Sequence, residues 1–358
     1  MKSYNHLYKV ALSEDVRRTS VHKVIIGRRN TPKLKRFAEQ EEIKVILSYD
    51  WVRKYENAPH TPKTIKDGTM HKERKIIVPT FKELTVQHCV VQALMPMFTR
   101  GMYEHSYASI PGRGAHKGKK VIEKWIRHDS KNCKYVLKMD IRHFFDSVPH
   151  DKLKAKLAKH THDDKMLDLV DKIIDVTEVG LPLGFYTSQW FSNWYLQGLD
   201  HYIKENLGAT HYIRYMDDMV VFGSNKRKLH KMRAAIEEYL NRELGLELKG
   251  NWQVFRFAYT KGGKQYGRDL DFMGFRFYRN RTVLRRTIML KATQKARRAG
   301  KKPKPTIYDI RQMLSYLGWF SSTDTYAVYE KWVKPYILIQ KCKRRMSAYD
   351  RKHSKEVA

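Results

Sequence analysis

The chain has 358 residues, 42% hydrophobic and 12% aromatic, which excludes a disordered protein and fits roughly two domains. Lys+Arg number 71 against 37 Asp+Glu, and a net charge of +34 repels itself unless a polyanion neutralises it, so nucleic acid is the first expected partner and a membrane surface the second. No run of about 18 apolar residues is present, and the start, MKSYNHLYKV, has no apolar signal region. Cys89, Cys133 and Cys342 are far apart, odd in number and without C-x-x-C spacing, which argues against a zinc site or a disulfide framework and fits a reducing cytoplasm.

The first stretch, residues 1–62, is polar and basic, with short apolar runs that predict small helices. KTIKDGTMHKE is loop-like, and RKIIVP (74–79) reads as a strand ended by Pro79. FKELTVQHCVVQALMPMF has helical spacing, and SIPGRGAHKGKK (109–120) is a basic Gly/Pro loop. KYVLKMDI (134–141) predicts a buried strand, and DKLKAKLAKH and KMLDLVDKIIDV predict helices. TSQWFSNWYLQGLDHYI has the length of one largely buried helix. HYIRYMDDMVVFG reads as a hairpin around two aspartates, and KLHKMRAAIEEYLNREL as an amphipathic helix ending at Gly245. LELKGNWQVF and LDFMGFRFY are strand candidates. From Arg281 to Pro305 every charged residue is Lys or Arg, and a boundary is expected near residue 280. The succession predicts an α+β fold, an antiparallel sheet backed by helices.

Asp140 stands at the end of an apolar strand, where an unpaired carboxylate is costly to bury. Asp217 and Asp218 are adjacent between apolar runs, and two like charges there repel. Hard oxygen-seeking Mg²⁺ relieves that repulsion, and two such ions about 4 Å apart suit the in-line displacement of nucleotidyl transfer. Asp is also favoured in turns, so YMDD alone leaves an ordinary turn open. Phe145, five residues beyond Asp140, has the bulk to clash with a 2′-hydroxyl; plain core is the alternative for it and for Phe144. Lys72 and Arg74, placed in the turn before RKIIVP, are candidates to neutralise a triphosphate, or else form a solvated basic turn. Gly184 would let the backbone approach a ligand. Ser188 and Gln189 would bond a base pair or the template, while Thr187 or Ser188 is also a candidate helix cap.

In order along residues 70–278 stand RKIIVP, SYASIPGRGAH, KMDIRHFFDSV, LPLGFYTSQWFSNWYL, YMDDMVVF, LGLELKGNWQVF and FMGFRF. That succession resembles the fingers-and-palm motifs of bacterial reverse transcriptases. The resemblance implies a right-hand polymerase: fingers and palm over 63–280 and a basic helical thumb over 281–358, after the extension 1–62. It implies RNA-directed DNA synthesis with two Mg²⁺ ions, or Mn²⁺ in their place. Asp140, Asp217 and Asp218 would be catalytic and, with Ile141, would form the metal-binding set. Lys72, Arg74, Phe144, Phe145, Leu183, Gly184 and Gln189 would contact the nucleotide, with Phe145 as steric gate. Phe272, Met273, Gly274 and Phe275 would be the primer grip. Arg113, Arg281, Arg285, Arg286, Lys291, Arg297 and Arg298 would bind nucleic acid.

Group II intron and retron enzymes usually carry Gln-Gly before the long helix and Ser-Pro within it. Leu183-Gly184 and Ser188-Gln189, with NWQVF and the compact length, are instead similar to reverse transcriptases of diversity-generating retroelements. That group copies a template RNA into cDNA misincorporated opposite adenine, binds the RNA–cDNA duplex and dNTPs, and works with a small basic pentameric accessory protein, which implies a cytoplasmic enzyme, bacterial or phage-encoded. A lysine commonly follows the LGL segment where this chain has Trp252, so a lost cation and Leu183 are together expected to loosen base-pair selection. A retron-, abortive-infection- or CRISPR-type reverse transcriptase, a DNA-dependent palm polymerase, and an inactive RNA-binding scaffold are the competing readings.

Overall fold

The structure, a computed structural model, describes residues 3–27, 36–67 and 72–354. Three helices, α1 (Leu7–Leu12), α2 (Glu14–Gly27) and α3 (Glu41–Arg53), open the chain. Val21, Val24 and Ile25 of α2 share a core with Val45 of α3, Phe37 and Leu84. Strands β1 (Lys63–Asp67) and β2 (Lys72–Ile76) form an antiparallel hairpin with Ile65 opposite Arg74. The expected strand 74–79 therefore begins earlier and stops at Ile76. The reason is Ile77, whose N–H leaves the hairpin to donate to the Leu183 carbonyl at 2.7 Å.

Helix α4 (Phe81–Thr99) starts on a capping box in which Thr80 and Glu83 satisfy each other's backbone N–H. Glu83 is buried and also accepts from the Ala58 N–H at 3.0 Å. Burial alone would raise its pKa, but the bonds from Thr80 and Ala58 outweigh it and hold the carboxyl below its ordinary value. Then come α5 (Ala115–His128), β3 (Tyr135–Asp140), α6 (Phe144–Ser147), α7 (His150–Ala158) and α8 (Asp164–Ile174). The single helix expected over 187–203 is three pieces: α9 (Tyr186–Tyr195), α10 (Gln197–His201) and a π-helical turn, Tyr202–Asn206. Strands β4 (His211–Tyr215) and β5 (Asp218–Gly223) flank the aspartates, and α11 (Lys226–Tyr239) continues as a π-turn to Leu244, ended by Gly245. Strand β6 (Gln253–Arg256) joins a four-stranded sheet of order β4–β5–β3–β6. LELKGNWQVF is thus a strand only in its last part, its first part meeting β3's end through one antiparallel bridge, Ile141 to Leu248.

After β7 (Tyr259–Lys261) and β8 (Lys264–Tyr266), LDFMGFRFY proves to be two strands, β9 (Leu270–Phe272) and β10 (Phe275–Phe277), paired with β11 (Thr282–Leu284). Met273 (φ 52°) and Gly274 (φ 87°) make the turn, both in the left-handed region that two-residue hairpins favour. Helices α12 (Arg286–Gly300), α13 (Ile307–Ser321), α14 (Tyr326–Trp332) and α15 (Ile339–Ser354) complete the chain.

Two compact units emerge. The first comprises residues 1–113, 137–221 and 227–253; the second comprises 114–136, 222–226 and 254–358, so the compositional change near 280 lies within it. In the second, Phe275 packs against Trp319 (5.0 Å between ring centres) and His116 (5.6 Å). No described helix is long and apolar enough to cross a membrane, and all three cysteines are free and buried.

Gly184 ties β2 to the start of α9. Its φ is 109°, and a Cβ there would overlap the Ile77 carbonyl oxygen. Gly184→Ala should therefore destabilise the protein by about 2 kcal/mol or more; chemical denaturation read by circular dichroism checks this.

Candidate active site

The first unit assembles the site from two strand ends. β3 is buried along Val136, Leu137 and Met139 and delivers Asp140 at its last position. β4 and β5 present apolar faces, Tyr212 and Ile213 on one and Met219, Val220 and Val221 on the other, so the chain must reverse within Met216–Asp217. Met216 adopts φ 59°, a left-handed conformation that residues other than glycine seldom take because of their Cβ. This turn brings Asp217 near enough to Asp140 for the charge of one carboxylate to act on the other.

Burial pushes the Asp217 pKa up from 3.8 to about 7; the charges of Asp140 and Asp218 add to the rise, and its own backbone N–H partly offsets it. Asp218 begins β5, where neighbouring side chains diverge. Among the described residues there is no group of three or more His, Cys, Asp or Glu placed to hold a metal ion, while the charges of Asp140 and Asp218 both act on Asp217. Ile141 is buried beside them. Its bridge to Leu248 is flanked by bonds from Arg142 N–H to Glu247 and from Lys249 N–H to Asp140 (both 2.8 Å), which turns the Ile141 carbonyl away from the 247–249 segment. Two carboxylates, one with its pKa raised by burial and by their repulsion, suit a hard divalent cation, which takes the place of the proton as it leaves.

Lys249 was not singled out in the sequence. The same bridge brings its Nζ to 3.1 Å from Asp140 Oδ2. Lys249 lies three residues before Trp252 and is ion-paired with Asp140. Trp252 itself packs under Arg233 (4.6 Å) and against His230 (5.8 Å). The signal that would have found Lys249 is a lone lysine in a segment that pairs with the end of the Asp140 strand.

A family model described as Reverse transcriptase (RNA-dependent DNA polymerase) matches residues 22–276. The chain belongs to the reverse transcriptase family. It is 23% identical over 203 residues to the Retron Ec73 reverse transcriptase of Escherichia coli, covering 53% of this chain and 61% of that protein. It is 32% identical over 133 residues to an uncharacterized 91 kDa protein in the cob intron of Schizosaccharomyces pombe, covering 33% of this chain and 16% of that one. The chain thus spans less than two thirds of the length of these relatives. Its fold is similar to apo telomerase from Candida tropicalis, with TM-score 0.53 at 15% identity over 86% of this chain and 64% of that one. The α+β reading and the reverse transcriptase resemblance both hold.

The remaining expected residues of this reverse transcriptase fall into distinct settings. Phe144 is core, at 2% exposure, while Phe145 is half-buried, the rings 5.5 Å apart. Lys72 and Arg74 lie within β2, not in a turn before it; Arg74 is exposed, and the Lys72 side chain lies outside the described residues. Leu183 and Gly184 engage Ile77 through their backbone, so the close approach that Gly184 permits is to the protein's own chain. Ser188 is buried and donates to the Pro182 carbonyl at 2.8 Å, so it does not offer its proton to a base pair; Gln189 is exposed. Neither Thr187 nor Ser188 caps α9, whose first N–H, Tyr186, donates to Gln87 Oε1 at 2.8 Å.

Arg113 Nη1 is committed to the Tyr103, Glu104 and Ser106 carbonyls, which makes it a loop clamp. In the second unit, Phe272 and Phe275 are fully buried and only the Met273–Gly274 turn joins them. Arg285 is ion-paired with Asp271 at 2.6 Å, and Arg281 lies over Tyr278. Arg297 lies over Trp332 and Tyr336. Arg286 and Arg298 are exposed on α12, and Lys291 is half-buried.

Because the folded pKa of Asp217 is raised, the folded state keeps a proton that the unfolded chain loses between about pH 4 and 7. Stability should fall as pH rises through that window and level off above it. Asp217→Asn should flatten the fall and raise the urea midpoint at pH 7.5 without divalent ions; an unchanged pH profile would contradict the burial of an ionising Asp217.

Proposed function

We propose that this chain is an RNA-directed DNA polymerase, and that it serves a diversity-generating retroelement. The observation that carries the polymerase reading is the Asp140–Asp217 pair at adjoining strand ends in a chain of the reverse transcriptase family. Asp140, Asp217, Asp218 and the Ile141 main chain would hold two Mg²⁺ ions, or Mn²⁺, which supply charge stabilisation of the attacking and leaving oxygens. The protein's own groups do the rest. Lys249 holds Asp140 in place and adds positive charge at the site. Asp217 releases its proton before it binds an ion. Phe145, half-buried, meets the sugar and disfavours a 2′-hydroxyl; Arg74 neutralises the triphosphate; Gln189, exposed on α9, faces the nascent pair.

On this reading residues 1–62 are an extension, 63–280 fingers and palm, and 281–358 the thumb, whose Arg286, Lys291 and Arg298 track the RNA–cDNA backbone. Leu183-Gly184 and Ser188-Gln189 support the diversity-generating assignment, with misincorporation opposite template adenine and a small basic pentameric accessory protein as partner. The cation absent at Trp252 and the Leu183 substitution together would loosen base-pair selection. The similarity to a retron enzyme favours a second reading, a faithful retron-type polymerase.

The deciding experiment supplies the purified protein with Mg²⁺, dNTPs and a defined RNA template and sequences the cDNA. Changes concentrated opposite adenine, with no product from Asp217→Asn, are expected. Faithful cDNA would select the retron-type reading. Silence even with the native RNA and accessory protein would leave an inactive RNA-binding scaffold. Binding to RNA–DNA duplex should weaken by about 10³-fold or more between about 50 and 200 mM salt, measured by fluorescence anisotropy.

A further inference from the structure

Two residues before Met216, Arg214 is buried in β4 at 1% exposure, facing Asp200, also at 1%. Their contact is a two-pronged ion pair: Nε to Oδ1 at 2.7 Å and Nη2 to Oδ2 at 2.6 Å. Nη1 donates to Asn193 Oδ1 at 3.1 Å and to the Met216 carbonyl at 3.0 Å, and Nη2 also reaches the Asn193 carbonyl at 3.4 Å. All five N–H donors of the guanidinium are thus committed. Around it, the Tyr212 hydroxyl donates to Asp200 at 2.7 Å, and Asn193 Nδ2 donates to the Ala108 carbonyl at 2.9 Å. The Arg214 backbone is fixed as well, its N–H on His105 and its carbonyl on Tyr107, both at 3.0 Å.

A buried ion pair is weak evidence of stabilisation, because apolar replacements often serve as well. What an apolar replacement could not do is hold the Met216 carbonyl. Met216 carries φ 59°, a conformation that relaxes to negative φ unless its surroundings over-determine it. Relaxation would rotate the next peptide and carry Asp217 away from Asp140. We propose that Arg214, clamped by Asp200 and Asn193, is a positioning residue that holds the Met216 carbonyl and so keeps the catalytic turn in its strained form. The proposal rests on the reading of Asp140 and Asp217 as the metal-binding pair.

The test is a double-mutant cycle between this clamp and the strain it holds. Arg214→Met with Asp200→Asn removes both charges together, leaves no lone buried ion, and keeps an oxygen acceptor for the Tyr212 hydroxyl. Met216→Gly removes the penalty on positive φ. The readouts are Mn²⁺ affinity by calorimetric titration, which does not require turnover, together with kcat, thermal midpoint and primer–template affinity. In the parent, neutralising the pair should weaken Mn²⁺ binding by about fivefold or more and cut kcat by about tenfold, with primer–template affinity unchanged. In the Met216→Gly background the same change should weaken Mn²⁺ binding by less than about twofold. Parent-like Mn²⁺ affinity in the neutral pair, or an equal loss in both backgrounds, would overturn the proposal and leave the pair merely structural. Should the neutral pair melt below the assay temperature, Arg214→Lys, which keeps the charge but not the fork, is read through the same cycle. Full activity of Asp217→Asn would instead defeat the underlying reading of the site.

Discussion

Two carboxylates are held against each other in a largely apolar setting, and much of the first unit answers to that conflict. Asp140 ends a strand anchored in the core by Val136, Leu137 and Met139, and Asp217 sits in the turn between two strands with buried centres, so neither can retreat into solvent without disrupting the sheet. The protein meets the cost in three ways. Burial and mutual repulsion push Asp217 toward its protonated form, Lys249 sits on Asp140, and the turn between β4 and β5 is anchored from beneath by Arg214. Such an arrangement gives little to stability and supports the reading of this corner as the proposed site, since perturbed carboxylates gather where chemistry needs them.

Around this centre backbone contacts make some of the joins between elements. Leu183 and Gly184 seat the entrance to α9 on the end of β2, and Gln87 from α4 caps that helix. Residues expected to reach a ligand, Ser188 and Arg113 among them, have their polar atoms engaged with neighbouring carbonyls. The positive charge has a different distribution: in the second unit some arginines are occupied by carboxylates and aromatic rings, as Arg285 and Arg297 are, while Arg286 and Arg298 stay exposed on α12. Net charge predicts a polyanionic partner, but only exposure tells which cations are available to it.

Several elements were legible from pattern alone. Alternation and apolar runs placed β3, β4 and β5, and helical spacing placed α4, α8 and α11. Other expectations gave way for local reasons. RKIIVP ended at Ile76 because Ile77 bonds outside its hairpin. LDFMGFRFY folded back on itself because Met-Gly accepts two positive φ values. The single long helix after LPLG broke into three, its last piece a π-turn, which apolar spacing does not encode.

By itself the sequence determined the chemistry available: a strongly basic chain, seven motifs in the order of a reverse transcriptase, and three aspartates at strand ends and a turn. Those follow from residue type and local periodicity, which need no partner distant in the chain. Tertiary structure alone decided which groups meet. Lys249 reaches Asp140 across 109 positions of sequence separation, and Arg214 meets Asp200 and the Met216 carbonyl only when β4 packs against the helix that carries Asp200. Contacts of that kind depend on strand register and helix packing, and a linear pattern carries neither.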